Sequence, residues 1–154
     1  MKNYRGNIKG LLFIICFRVA HFFTKNKFLT IVGCPIWLLY RILFNFLLGI
    51  DISEKTVIGK HFVLWHGIGL IVHPQTIIGN NVTLRHNTTI GSAVDGGPTP
   101  IIEDNVDVGA NSVVIGGITI GKGAQIGAGS VVIKDVPANA VVVGNPGRVI
   151  KIKK

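Results

Sequence analysis

A six-residue period runs through the last two-thirds of this 154-residue chain. Aliphatic residues stand six apart at Ile52, Ile58, Leu64 and Leu70. After a two-residue shift to Val72 they continue at Ile78, Leu84 and Ile90. They resume at Ile102, Val108, Val114, Ile120, Ile126 and Val132, and the twelve-residue step from Ile90 keeps the phase. Two residues before seven of them stands a small or branched residue: Val82, Thr88, Val106, Ser112, Ile118, Ala124 and Ser130. A six-residue unit cannot bury its own side chains, so a period this short predicts a solenoid. Each unit is one very short strand with alternate residues inward, followed by a Gly- or Asn-rich turn. Three units close one triangular coil, which sets an expected coil period of eighteen residues. The fold class is mainly β, a parallel β-helix preceded by an α-helical segment.

The helical segment is a different kind of sequence. Of the net charge of +9, residues 1–50 carry +7, from Lys2, Arg5, Lys9, Arg18, Lys25, Lys27 and Arg41 with no Asp or Glu. Ten of the twelve aromatics also precede residue 51, which places a boundary near Gly49–Asp51. The expected organisation is a hydrophobic basic helical segment, 1–50, and a β-helix domain with a basic tail, 51–154. Helices are predicted at about 8–24 and 35–48. The second is apolar nearly all round, so it is buried in protein, packed on a sister subunit, or laid in a lipid interface. Basic charge with aromatics suits an anionic membrane surface.

Within the first fifty residues the longest uncharged run, 28–40, is shorter than the roughly 18–20 residues of a spanning helix, and Pro35 interrupts it. No signal peptide is evident. Two cysteines, Cys16 and Cys34, in apolar surroundings fit buried thiols in a reducing cytoplasm. The expected localisation is cytoplasmic, at the inner face of the plasma membrane.

Two histidines break the repeat's apolar character. His66 stands two residues after Leu64, and His86 two after Leu84. Their separation of twenty is one coil plus the two-residue shift, so both are expected at one corner of the prism, one coil apart. Asp104, two after Ile102, is expected to continue that column. These are outward-facing turn positions.

The stretch "WHGIGLIV" resembles the "DHGTGxVxG" segment of serine acetyltransferases, which are hexapeptide-repeat acyltransferases. The likeness continues through "IIGNNVTLRHNTTIG" and "GAGSVVIKDVPANAVVVGNPGRVI". It is closer to the members that O-acetylate bacterial exopolysaccharide of the colanic acid type. There the helical "FRVAHF" and "LLYRI" also look familiar, so the resemblance covers nearly the whole chain. It implies a left-handed β-helix, acetyl-CoA as co-substrate with no metal required, and a homotrimer with interfacial sites. No nucleic-acid partner is implied.

By this resemblance His66 is the catalytic base, and Asp51 is its partner carboxylate. Asp51 serves equally well as a cap of the first coil. Trp65 replaces the Asp that serine enzymes carry before the histidine. Pro98 and Thr99 replace the Arg-His pair that helps them hold serine. An aromatic suits the C–H face of a sugar, so Trp65, Arg85 and His86 are the expected acceptor-binding residues. The resemblance places the pantetheine arm of coenzyme A along Gly91, Ser92, Ala110 and Ala128, although turns also demand small residues there. Arg148 and Lys151, with Lys153 and Lys154, are expected to meet its phosphates, although a plain solvated basic tail explains them equally well. Residues 91–100, "GSAVDGGPTP", are expected to project as a loop near the site.

The expected function is acetyl transfer to a sugar hydroxyl in surface polysaccharide biosynthesis, and the greasy basic N-terminus hints at a lipid-linked acceptor. Serine acetylation is the alternative. A γ-carbonic-anhydrase-like metal enzyme using His61, His66 and His86 has the wrong ligand order and spacing. A bare scaffold would leave the His-Gly motif and the loop without a role.

Overall fold

The computed structural model describes residues 6–153. Lys2, Arg5 and Lys154, counted among the basic groups above, lie outside the described residues. From Ile50 onward the chain winds as a three-faced parallel β-helix. The first face stacks β1 (Ile50–Ile52), β4 (Leu70–Val72), β7 (Thr89–Gly91), β10 (Val113–Ile115) and β13 (Val131–Val132). The second stacks β2 (Val57–Ile58), β5 (Ile77–Ile78), β8 (Ile101–Ile102) and β11 (Thr119–Ile120). The third stacks β3 (Val63–Trp65), β6 (Thr83–Arg85), β9 (Asp107–Val108), β12 (Gln125–Ile126) and β14 (Ala140–Val143), and antiparallel β15 (Arg148–Ile152) closes it.

The periodic aliphatics become continuous columns inside the prism. Ile52, Val72, Ile90, Val114 and Val132 stack on the first face. Ile58, Ile78, Ile102 and Ile120 stack on the second. All are buried. No single strand could bury such a residue, and stacking stabilises each by roughly 1.5–3 kcal/mol. Corners require left-handed backbone, which Asn tolerates. Asn81, Asn87, Asn105, Asn111 and Asn139 all have positive φ, and the amide of Asn87 donates to Asn111 at 3.0 Å.

Coil length is not uniform. Val72 pairs with Ile90 and Val114 with Val132, the expected eighteen. Ile52 pairs with Val72 across twenty, because the corner Gly67–Gly69 takes two extra residues. Ile90 pairs with Val114 across twenty-four, because the loop between β7 and β8 inserts six.

The helical segment has more parts than the sequence predicts. It comprises α1 (Ile8–Phe22), a short α2 (Lys27–Val32), α3 (Cys34–Tyr40) and a π-helical run, Arg41–Leu47. Asn7 caps α1 through the Gly10 amide at 2.9 Å, and Asn26 caps α2 through Leu29 at 2.8 Å. One side of the segment is core: Phe13, Phe17, Tyr40 and Phe44 pack together and onto Phe62 of the first coil. The other side stays exposed, including Ile8, Leu12, Ile15, Phe28, Ile31, Leu39, Phe46 and Leu47. Among the described residues no helix is long and apolar enough to cross a membrane. Cys16 and Cys34 are free thiols.

The segment also closes the open end of the solenoid. A first coil leaves strand carbonyls without a coil beneath them. The Asn7 amide donates to Leu64 O at 2.6 Å, Arg18 to Ile58 O at 2.7 Å, and the Tyr40 hydroxyl to Ile52 O at 2.8 Å. Those carbonyls occupy equivalent positions, one on each face. Gly10 permits the approach, since a Cβ there would collide with Leu64 O. Buried Glu54 accepts a two-pronged ion pair from Arg41, at 3.0 and 2.7 Å, fastening the π-helical run to the first coil.

Candidate active site

His66 follows β3 at the corner that leads to β4, with φ 66. This left-handed conformation is uncommon for a residue with a Cβ and costs about 1 kcal/mol or more. The ring is exposed, and among the described residues its side chain makes no hydrogen bond. The His86 ring lies edge-on to it, centroids 5.9 Å apart and planes at 74°. The register Leu64 to Leu84 and Trp65 to Arg85 places the two histidines one coil apart, as the spacing predicts. His86 Nδ1 is buried and has no hydrogen-bond partner among the described residues.

Asp104 does not continue that column. The six-residue insertion makes Val108, not Ile102, the successor of Leu84, and β6 pairs with β9 at Thr83 and Asp107. Asp104 instead lies above Asn80 and accepts its backbone N–H at 2.6 Å. The residue after His86 at this corner is Ala110, and the residue after that is Ala128, since Val108 pairs with Ile126. One edge of the prism therefore carries His66, His86, Ala110 and Ala128. Ala110 is half-buried and Ala128 exposed.

Other predicted residues lie elsewhere. Gly91 ends β7, and with Ser92 it starts the projecting loop at the opposite edge of the first face. Within one chain, that loop is a face-width from His66 rather than beside it. Arg148 and Lys151 are exposed on β15, at the far end of the third face. Trp65 is half-buried on that face, its ring centroid 6.2 Å from that of His66. Arg85 stands next to Trp65 in register, but its guanidinium is paired with Asp107 and also donates to Val108 O at 3.1 Å. Asp51 is exposed and accepts from the Asn45 amide at 3.0 Å. Among the described residues no hydrogen bond joins it to His66. His61 sits at the corner before β3, so the three histidines do not converge, and no group of three metal-binding side chains is found among the described residues.

The sequence offers no sign of a cavity of about 380 Å³ beside His66, between the helical segment and the first coil. Leu12, Phe44, Leu47 and Leu48 meet Ile50 and Ile68 there. These residues are scattered over nearly sixty positions, so only the tertiary fold assembles them. A shallower cleft on the other side is lined by His66, Ile68, His86 and Asn87.

The family model described as the hexapeptide repeat of succinyl-transferase matches residues 101–134. A protein of Escherichia coli strain K12, named as a colanic acid biosynthesis acetyltransferase, is 36% identical over 99% of both chains. The chain belongs to the hexapeptide-repeat acyltransferases. Among solved structures of this family, the soybean serine acetyltransferase complexed with serine is 36% identical, with a TM-score of 0.81 over 94% of this chain. The Brucella abortus serine acetyltransferase in complex with coenzyme A is 29% identical, with a TM-score of 0.82 over 96%. This chain spans 58% of each of those two family members, but nearly the whole of the colanic acid protein.

Proposed function

We propose that this protein is an acetyl-CoA-dependent O-acetyltransferase that modifies a sugar hydroxyl in bacterial surface polysaccharide biosynthesis. The observation that carries the reading is the single edge bearing His66, His86, Ala110 and Ala128, in a chain alike end to end with a colanic acid acetyltransferase. An alcohol is a weak nucleophile at neutral pH. A His66 ring nitrogen accepts the hydroxyl proton as the oxygen attacks the thioester carbonyl, and such a base contributes about 10²–10⁴-fold. Collapse of the tetrahedral adduct breaks the C–S bond. The imidazolium then returns the proton to the departing coenzyme A thiolate.

Acetyl-CoA enters here as substrate. Small side chains at Ala110 and Ala128 leave the edge open for the pantetheine arm, and Arg148 and Lys151 supply charge for phosphates. Asp51, held by Asn45, is the group to orient the imidazole once substrate is bound. Trp65 and His86 flank the position of the acceptor, and Arg85 orders that side through its pair with Asp107. Three chains packed side by side would set the loop of Gly91 and Ser92 against a neighbour's histidine edge. The exposed apolar helices, with Lys25 and Lys27 among them, fit peripheral contact with an anionic membrane.

The test is coenzyme A thiol release, measured with sugars, nucleotide sugars and serine as acceptors. Release with a sugar acceptor is expected. Release with serine alone would overturn the acceptor.

A further inference from the structure

We infer that the apolar cavity beside His66 binds the hydrocarbon tail of a lipid-phosphate-linked sugar, which makes the acceptor amphiphilic. The inference rests on the reading of His66 as the base. The cavity holds about 380 Å³. Buried Phe44 and Ile50 form its floor, and exposed Leu12, Leu47, Leu48 and Ile68 its walls. Its two remaining lining residues are His66 and Lys9.

Three features point to this occupant. First, a sugar has no use for walls of leucine and isoleucine, whereas an isoprenoid or alkyl chain does. Second, the cavity lies on the helical side of His66, while Ala110 and Ala128 lie on the opposite side, toward the later coils. Acetyl-CoA laid along the alanine edge brings its thioester to the histidine from that direction. The acceptor therefore arrives from the cavity side. Third, exposed Lys9 lines the same cavity in a segment that has no acidic residue, which complements a phosphate between tail and sugar. Next in sequence to the lining residues Lys9, Leu12 and Leu47, the apolar Ile8, Leu11 and Phe46 are exposed as well.

The test uses the full-length protein and matched acceptors: methyl and decyl glycosides of glucose, galactose and fucose. Decyl phosphate serves as a binding probe, with inorganic phosphate as control. Each buried methylene is worth roughly fourfold in affinity, so the decyl acceptor should show a KM at least about tenfold lower than its methyl partner. Leu47→Asp, at an exposed wall position, should remove that advantage while leaving the methyl glycoside and acetyl-CoA parameters unchanged. Lys9→Ala should weaken decyl phosphate binding and leave decyl glycosides untouched.

Equal KM values for methyl and decyl acceptors would overturn the inference. So would Leu47→Asp acting only on the preference between acetyl-CoA and a longer acyl-CoA, which would make the cavity an acyl-chain site. If no glycoside is acetylated, decyl phosphate binding abolished by Leu47→Asp still supports the cavity's role, and its absence sinks it. Failure of the catalytic reading shows separately, as acetyl-CoA cleavage indifferent to His66→Asn.

Discussion

His66 combines an exposed ring with a left-handed backbone, and that combination dictates how it should be tested. Alanine at φ 66 carries the same backbone cost and confuses folding with chemistry. Asparagine occupies such corners elsewhere in this chain, at Asn81, Asn87, Asn105, Asn111 and Asn139. His66→Asn should therefore melt at the wild-type temperature while acetyl transfer falls by about 10²–10⁴-fold. A melting shift as large as the activity loss implies would return the residue to a structural role. Asp51→Asn should lower kcat and spare the KM for acetyl-CoA, because Asp51 is assigned to the imidazole rather than to the donor. Asn45→Leu, which removes the amide that holds Asp51 at 3.0 Å, should reproduce that kcat effect in weaker form.

At the scale of elements, the helical segment acts as a lid on the solenoid's first coil. Its aromatics cover the end of the apolar interior, and Asn7, Arg18 and Tyr40 satisfy one carbonyl on each face. Gly10→Ala would push α1 off β3 and should lower the urea midpoint, with a loss of about 2 kcal/mol. Glu54→Ala breaks the fastening, and because the freed Arg41 guanidinium is 43% exposed and stays solvated, the loss should be only about 1 kcal/mol.

Tyr40 adds a pH signature. Burial, reinforced by the Glu54 and Asp51 charges, pushes its phenol well above the ordinary range. Above about pH 10 the unfolded chain loses that proton while the folded one keeps it. Stability should then fall with rising pH by up to about 1.4 kcal/mol per unit. Tyr40→Phe should flatten that limb in alkaline unfolding curves.

For the whole molecule, the uneven distribution of apolar surface is the main fact. The exposed side of the helices is apolar and basic. Sedimentation with anionic vesicles should therefore retain the protein, with Ile31→Asp and Leu39→Asp releasing it and leaving its oligomeric state unchanged. Light scattering should report a trimer. Deleting residues 1–48 is a poor test of either point, because it uncovers Phe62 and three strand carbonyls at once.

The repeat made the architecture legible in the sequence because each inward aliphatic is a local requirement, renewed every six residues. The pairing of His66 with His86 was legible for the same reason: no insertion beyond the two residues at Gly67–Gly69 falls between them. Asp104 was misplaced because a loop of unknown reach interrupts the count, and only the hydrogen-bonded register shows where the next coil resumes. The sequence likewise set the apolar, basic character of the helical segment but not which residues face inward. The cap, the Glu54 fastening and the cavity join residues with no common spacing, from Asn7 to Ile68. Their positions follow from how an aromatic helix pair settles on the open end of a prism, and that packing is decided only in three dimensions.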